Sequence, residues 1–191
     1  MQDESGTVDK LEIAREWLHK HPFVGDELSL LLIYYGHVVV SSKKELANGV
    51  FSVWGMSGVG KSFLVKHFYY EKLTELGTDW VQYSWVNVSL PFGLMELAWS
   101  LLLDLNPGSL QDCMSTMKDP IQKCHEYLRT HPCLVVIDGQ QSTKEWDLIN
   151  AALGLETNRR NSVVVITSEE SVAKYYAKAS DRVWNVKRSR S

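Results

Sequence analysis

Apolar and polar positions follow two periods along the chain, and these periods predict which segments are helices and which are strands. Apolar residues recur at helical spacing in six segments, 8–20, 62–76, 92–103, 120–129, 142–153 and 169–177. Shorter runs, either continuously apolar or alternating, occupy five further segments, 50–54, 82–88, 133–138, 162–167 and 182–186. From residue 49 onward, predicted strands and helices therefore alternate. Before it, residues 27–35 predict a further short apolar helix, and Ser142 with Glu145 indicates a capping box at the start of the helix 142–153.

This alternation predicts a fold of the α/β class. Strands separated by helices pair side by side in one direction, because each helix returns the chain to the same end of the sheet. The run Leu134-Val135-Val136-Ile137 has no polar face, which is typical of a parallel strand covered on both sides. We therefore predict a five-stranded parallel sheet with helices on both faces.

The first predicted strand leads directly into a phosphate-binding spacing. Residues 55–62 read GMSGVGKS, a Gly-x4-Gly-Lys-Ser pattern between a strand and a helix, which is the P-loop arrangement. Glycines allow the tight turn that points main-chain amides at a phosphate chain, Lys61 adds a cation, and Ser62 offers a hydroxyl to Mg²⁺. The predicted nucleotide-binding residues here are Gly55, Ser57, Gly58, Val59, Gly60, Lys61, Ser62 and Phe63.

The second half of a P-loop site is an acid at the carboxyl end of a neighbouring strand. Asp138 has that position after the continuous apolar run, so it is the predicted Mg²⁺ ligand and the candidate catalytic residue. The alternative interpretation is an aspartate that caps a helix or turn. The Asn-Lys-x-Asp pattern that reads guanine is absent, which favours an adenine nucleotide.

Composition adds few functional classes and excludes several. The 191 residues are 45% hydrophobic and 23% charged, as expected for one globular domain. A net charge of −3 gives no electrostatic basis for binding nucleic acid or an anionic membrane. The apolar runs are too short to cross a bilayer, and the polar start at residues 1–5 is no signal peptide.

The cysteines predict a reducing compartment. There are three of them, an odd number, and their spacing does not match a zinc site, so we expect reduced thiols in the cytosol. The one constellation with potential metal ligands combines Cys124 and His125 with His131 and Cys133. It departs from the usual zinc patterns.

Five motifs in order resemble the NB-ARC domain of plant disease-resistance proteins. These proteins are the NLR immune receptors, which belong to the STAND class of P-loop ATPases. The motifs read FVG at 23–25, GMSGVGKS at 55–62, WVNVS at 85–89, LVVID at 134–138 and VVVITS at 163–168.

The resemblance implies a switch driven by ADP and ATP, in which ADP keeps a receptor closed and ATP permits oligomerisation. It also implies that Val24 and Gly25 lie near adenine, that Asp138 serves Mg²⁺, and that Thr167 ends the strand that senses the γ-phosphate. The partners would be the nucleotide, other domains of the same receptor and further copies of it. The location would be the cytoplasm, with the nucleus as an alternative.

Several residues depart from the family pattern. Gly139 stands where a second acid usually follows Asp138, Glu169 replaces an Arg, and Asp26 replaces another Arg after Val24-Gly25. The first change predicts poor hydrolysis, because that acid is expected to position the attacking water. Glu169 would repel the γ-phosphate if it faced the site. The alternative is that Glu169 simply starts a helix, where its negative charge interacts favourably with the helix dipole.

We divide the chain into a helical lead-in with the adenine-side motif at 1–48, a nucleotide-binding core at 49–187 and a basic tail at 188–191. The family's following subdomains and leucine-rich repeats are not recognised.

Three functions follow from the residues. The first is a nucleotide-binding switch module with weak or no hydrolysis, the second an ATPase that uses Glu169 or Glu170, and the third a pseudo-NTPase that binds proteins.

Overall fold

The computed structural model describes residues 4–22, 49–74, 82–108, 119–157, 160–178 and 182–186. The chain divides into a smaller unit, residues 1–47 and 62–79, and a larger unit, residues 48–61 and 80–191. Within the described residues there are six helices and five strands. They are α1 (Glu4–Lys20), β1 (Gly49–Trp54), α2 (Lys61–Thr74), β2 (Gln82–Asn87), α3 (Leu94–Leu105), α4 (Pro120–Thr130), β3 (Cys133–Asp138), α5 (Thr143–Leu153), β4 (Ser162–Thr167), α6 (Glu170–Ala177) and β5 (Val183–Asn185).

All five strands of the larger unit form one parallel sheet in the order β2-β3-β4-β1-β5. The predicted fold class is therefore confirmed. The register places Asp138 opposite Ile166 and Trp54 opposite Thr167, so β1, β3 and β4 end at one edge of the sheet. Because parallel strands present their carboxyl ends together, the loops after these strands share that edge.

Both faces of the sheet are buried. On one face, Val135, Ile137 and Val163 are inaccessible to solvent and belong to the core formed with α3, α4, α5 and α6. On the opposite face, Leu134 and Val136 of the same strand are equally inaccessible. A strand with no solvent-facing side needs no polar alternation, which explains the continuous apolar run in its sequence.

A buried asparagine connects the starts of two strands with the end of a helix in the larger unit. Asn161 is inaccessible to solvent; its Oδ1 accepts from the Cys133 amide at 3.1 Å and its Nδ2 donates to the Leu128 carbonyl at 2.9 Å. Its own carbonyl accepts from the Gly49 amide at 2.9 Å. A single residue thereby supplies hydrogen-bond partners for three main-chain groups. Two of them lie at the starts of β1 and β3, and the third lies near the end of α4.

The outer edge of β2 carries a side-chain cap. Asp104 of α3 accepts a hydrogen bond from the Trp85 amide at 2.9 Å, on the side of the strand away from β3. Unpaired edge amides are the groups through which sheets extend. The carboxylate satisfies one of them within the same molecule.

One helix begins at its predicted cap, and another is displaced from its predicted range. Helix α5 begins with the predicted capping residue, since Ser142 Oγ accepts from the Glu145 amide at 3.4 Å. It ends at Gly154, whose φ of +66° is the left-handed conformation that glycine adopts readily. The prediction for α3 was wrong by two residues at each end, because Gly93 is still extended at φ −132° and the helix begins after it.

The smaller unit pairs α1 with α2. The Trp17 ring of α1 lies 5.3 Å from the Phe63 ring and 5.3 Å from the Tyr70 ring, centroid to centroid. His67 Nε2 donates to the His21 carbonyl at 3.0 Å, just beyond the end of α1. The predicted start of α1 at residue 8 was late, since the helix begins at Glu4. The predictions for 23–48, which include a second short helix, lie outside the described residues.

Candidate functional site

The loop after β1 has the backbone that its glycines were predicted to allow. Gly58 and Gly60 have φ of +76° and +98°, and a Cβ at either position would meet nothing within 4 Å. Glycine is thus required there by conformation, and the space beside the loop is open. At Gly55 the restriction is steric as well, because a Cβ would lie 2.5 Å from the Val186 carbonyl oxygen.

The loop amides are available to a ligand. Among the residues that the structure describes, the amides of Gly58 and Gly60 donate no hydrogen bond, whereas the Val59 amide donates to the Met56 carbonyl at 3.3 Å. Gly58, Gly60 and Ser57 are exposed. Adjacent amides in an open turn form the kind of concavity that binds anions, so this loop fits a phosphate chain.

Lys61 is held by the main chain of its own loop. Its Nζ donates to the Gly55 carbonyl at 2.7 Å and to the Met56 carbonyl at 2.9 Å. Partial burial lowers the pKa of the Lys61 ammonium, and the nearby Asp138 carboxylate opposes that shift. The loop therefore holds a positive charge beside its free amides, and Asp138 is close enough to interact with it.

Asp138 ends β3 and its backbone is fixed on both sides. The Val88 amide donates to the Asp138 carbonyl at 2.9 Å, while the amides of Gly139 and Gln140 both donate to the Ile166 carbonyl, at 3.1 and 3.2 Å. Gly139 has φ of +86°, and a Cβ there would meet nothing within 4 Å. Glycine thus occupies a left-handed position beside open space, where the family pattern has an acid.

Thr167 is buried at the end of β4. Its Oγ1 accepts from the Glu169 amide at 3.1 Å, and only 1% of its surface is accessible. Thr167 therefore helps to begin α6 through its side chain. Whether it senses a γ-phosphate stays a prediction.

The two glutamates after Thr167 differ in their surroundings. Glu169 is the exposed residue that precedes the first turn of α6, not its first helical residue as predicted. Glu170 lies in the first turn and pairs with Lys174 at 2.7 Å on the helix surface. Of the two candidate catalytic glutamates, Glu169 is the one without a described ion pair.

The remaining predicted site residues lie elsewhere. Ser62 and Phe63 are exposed in the first turn of α2 and belong to the smaller unit. Val24 and Gly25 lie outside the described residues, so their assignment to adenine stays a prediction. Sequence reasoning did not single out Gln140, which is fully buried beside Asp138, because a polar residue after a strand usually indicates an exposed turn.

The cysteine and histidine constellation has other roles in the structure. His125 contacts the Ala152 carbonyl through Nδ1 at 3.2 Å, and the His131 ring stacks on Tyr127 with centroids 4.1 Å apart. Burial raises the pKa of the Cys124 and Cys133 thiols to about 12. In the described ranges, no three His, Cys, Asp or Glu side chains are grouped to hold a metal ion.

None of the helices among the described residues is both long and apolar enough to span a bilayer. The larger unit brings together a glycine loop with free amides, a lysine bound to that loop, and an aspartate at the end of β3, which is not the neighbour of β1 as predicted but is separated from it by β4. Each element is positioned by a strand of the same parallel sheet.

Comparison with known proteins agrees with this arrangement. Disease resistance RPP13-like protein 4 of Arabidopsis thaliana is 30% identical over 130 residues, which are 67% of this chain and 14% of that protein. Putative disease resistance protein At1g50180 of Arabidopsis thaliana is 25% identical over 158 residues, which are 82% of this chain and 18% of that protein. The chain thus spans less than a fifth of the length of these relatives.

Among solved structures, that of C. elegans PCH-2 aligns with 85% of this chain and 42% of its own, at 14% identity and a TM-score of 0.48. That similarity is too distant to say anything about function. The pattern of the NB-ARC domain, in contrast, matches residues 38–188 and so includes every strand of the sheet. This chain belongs to the NB-ARC domain family, the nucleotide-binding module of plant disease-resistance proteins.

Proposed function

We propose that this domain is a switch module that binds ADP and ATP and hydrolyses ATP weakly or not at all. The observation that carries the proposal is the P-loop itself. Its Gly58 and Gly60 amides are unused, and the Lys61 ammonium is already bound to the Gly55 and Met56 carbonyls beside them. Amides and a cation at one loop bind the diphosphate that ADP and ATP share.

Magnesium would be held by the chain's own oxygen ligands. In the larger unit Asp138 supplies a carboxylate, a hard oxygen ligand that suits Mg²⁺, and the Ser62 hydroxyl stays the second ligand predicted from the sequence. When bound, the ion would neutralise phosphate charge. The part that this chain contributes is a carboxylate whose backbone is fixed by the Val88 amide and by the turn at Gly139.

Weak hydrolysis follows from two residues at the same edge of the sheet. Gly139 offers no carboxylate that could position water, and its left-handed φ of +86° favours glycine over a side chain. Glu169, exposed before α6, brings a negative charge where an Arg would add charge-assisted hydrogen bonds to a γ-phosphate. ATP is therefore penalised relative to ADP.

The test is calorimetric titration of the chain with Mg-ADP and Mg-ATP, together with thermal unfolding in each nucleotide. At a ligand concentration of 100 times Kd, the linkage relation gives about 2.7 kcal/mol of stabilisation. For a chain of this size that corresponds to a rise in Tm of roughly 5–10 °C. We expect ADP to bind more tightly than ATP.

Lys61→Met is the matched loss-of-binding variant, and Lys144→Met is its control. Lys144 is exposed on α5, so the control removes an equal charge from a surface outside the loop. Loss of one or two charge-assisted bonds to phosphate should weaken ADP binding about 10- to 100-fold. Equal ADP affinity in the two variants would contradict the role proposed for Lys61. No binding by the parent chain would contradict the proposed function itself and favour a protein-interaction module without nucleotide.

Hydrolysis is tested by phosphate release from ATP under saturating conditions. We expect release near the background rate. Steady turnover that disappears in both Lys61→Met and Glu169→Gln would instead identify the domain as an ATPase with Glu169 as its acid. Glu170→Gln is the control for that experiment, because the Glu170 carboxylate is paired with Lys174.

The partners follow from the family and from the length of the relatives. The matched region is only 14% and 18% of the two disease-resistance proteins compared, so the switch would act on other domains of a longer receptor. We infer that these domains and further copies of the receptor are its partners, in the cytoplasm or the nucleus. Co-precipitation with the remaining domains, in ADP and in ATP, tests this inference.

A further inference from the structure

The residue after Asp138 anchors the chain through its backbone only, since the Gly139 amide donates to the Ile166 carbonyl at 3.1 Å. Gly139 has φ of +86° and no side chain to pack, and nothing lies within 4 Å of where a Cβ would be. A glycine has more conformational freedom than any other residue. The first side chain after Asp138 that can be anchored in the fold therefore belongs to the next residue.

That residue is Gln140, which is completely inaccessible to solvent. Its Nε2 donates to the Ser142 carbonyl at 2.9 Å and to Glu145 Oε2 at 3.3 Å. Its main-chain amide donates to the Ile166 carbonyl of β4 at 3.2 Å. The side chain of Gln140 is thus bound to the start of α5, while its backbone is bound to the end of β4.

A second buried side chain supports the same point. Tyr176 of α6 donates from its hydroxyl to the Ser142 carbonyl at 2.9 Å, and only 1% of its surface is accessible. The Ser142 carbonyl therefore receives two buried donors, one from Gln140 and one from Tyr176. Burial and hydrogen bonding together restrict the conformation of this turn, although its glycine and polar residues suggest an exposed and less restricted turn.

We propose that Gln140 is a positioning residue that holds Asp138 where the carboxylate can serve the divalent cation of a bound nucleotide. This inference rests on the proposed function. In this role Gln140 contacts neither the nucleotide nor the cation. Its effect reaches Asp138 through the backbone of Gln140 and Gly139. Replacing a residue that orients a metal ligand without itself binding the metal usually lowers metal affinity about 10- to 100-fold.

Gln140→Leu is the informative variant. Leucine has a similar volume and suits a buried site, and the change also removes Gln140 Oε1, which accepts no hydrogen bond from the residues described. The Ser142 carbonyl keeps its Tyr176 donor. The variant should therefore fold, as thermal unfolding will show, while the link between α5 and the Asp138 turn is lost. Gln122→Leu on the exposed surface of α4 is the matched control.

The experiment measures ADP affinity by calorimetry twice for each protein, once with Mg²⁺ and once with EDTA. The ratio of the two dissociation constants is the gain from magnesium. We expect the parent chain and Gln122→Leu to show the same gain. In Gln140→Leu the magnesium gain should be about 10-fold smaller or absent, while the ADP affinity in EDTA is unchanged.

Three results would overturn the inference. The first is an unchanged magnesium gain in Gln140→Leu. The second is an equal loss of affinity in Mg²⁺ and in EDTA, which would make Gln140 a residue of general structure only. The third is a parent chain that binds ADP equally well in both buffers, which would leave the proposed function intact. Absence of ADP binding by the parent chain in both buffers would instead reject the proposed function itself.

Discussion

The Lys61 ammonium lies 2.7 Å from the Gly55 carbonyl oxygen, six residues earlier in the chain. A second bond, to the Met56 carbonyl at 2.9 Å, means that the main chain of the loop holds this charge at two points. The Met56 side chain is 70% exposed and contributes nothing to it. A phosphate that enters the loop thus meets a cation that has already lost much of its side-chain freedom, which reduces the entropic cost of binding.

Glu169→Arg should shift the preference of the site toward ATP. An Arg at this exposed position before α6 would replace a repulsion from the γ-phosphate by a charge-assisted bond worth roughly 1.5–3 kcal/mol. ATP affinity should rise about 10-fold or more, as measured by calorimetry, with ADP affinity nearly unchanged. Glu170→Arg is the control, and an equal effect of the two substitutions would show that only overall charge matters.

Gly139→Asp should restore slow hydrolysis at a cost in stability. The left-handed φ of +86° disfavours a side chain by about 1–2 kcal/mol, although Asp and Asn tolerate this region better than most residues. Open space around the position leaves room for the carboxylate. Phosphate release should exceed that of the parent chain.

Gly139→Asn is the matched control for that experiment, because it carries the same strain without the charge. Chemical denaturation should show that both variants lose similar stability. Equal phosphate release by the two variants would mean that a carboxylate at residue 139 does not position water in this domain.

Asn161→Ala should destabilise the larger unit by about 2–5 kcal/mol. The substitution leaves the Cys133 amide and the Leu128 carbonyl buried without partners, and each such group costs about 1–3 kcal/mol. Urea denaturation measures the change. Asn106→Ala, at the partly exposed end of α3, should cost much less, and equal losses would contradict the importance that we assign to the buried amide.

The buried thiols predict a loss of stability at alkaline pH. The pKa of Cys124 and of Cys133 is about 12 in the folded chain, above the ordinary value of 9.0. Below pH 9 both states hold the protons, so the contribution is fully present. Between pH 9 and 12 the unfolded chain releases them first, and stability falls by roughly 1–2 kcal/mol per thiol at pH 10.

Denaturation at pH 8 and pH 10 measures this loss, in a Cys113→Ala background so that only two thiols remain. Replacing Cys124 and Cys133 by Ala should make the stability less dependent on pH. A slope unchanged by that double substitution would show that other groups govern the alkaline transition.

The sequence predicted those features that depend on local pattern. The apolar run of β3, the glycine spacing of the P-loop and the Ser142 cap of α5 were all found where residue periodicity and turn chemistry indicated them. The parallel sheet followed from the alternation of strands and helices. Each of these properties is determined by residues that are close together in the chain.

The sequence did not predict contacts between distant residues. The order β2-β3-β4-β1-β5, the bonds of Lys61 to its own loop, and the burial of Gln140 and Asn161 depend on which elements meet in three dimensions. Polar residues next to strands usually indicate solvent-exposed turns, so local reasoning assigns them to the surface. Their burial is decided by the helices that pack over them.

The carboxylate of Asp104 on the Trp85 amide also affects how molecules of this chain meet one another. A donor already engaged within its own molecule is unavailable to a strand from a neighbour, so ordered fibrils have less opportunity to grow from the margin of β2.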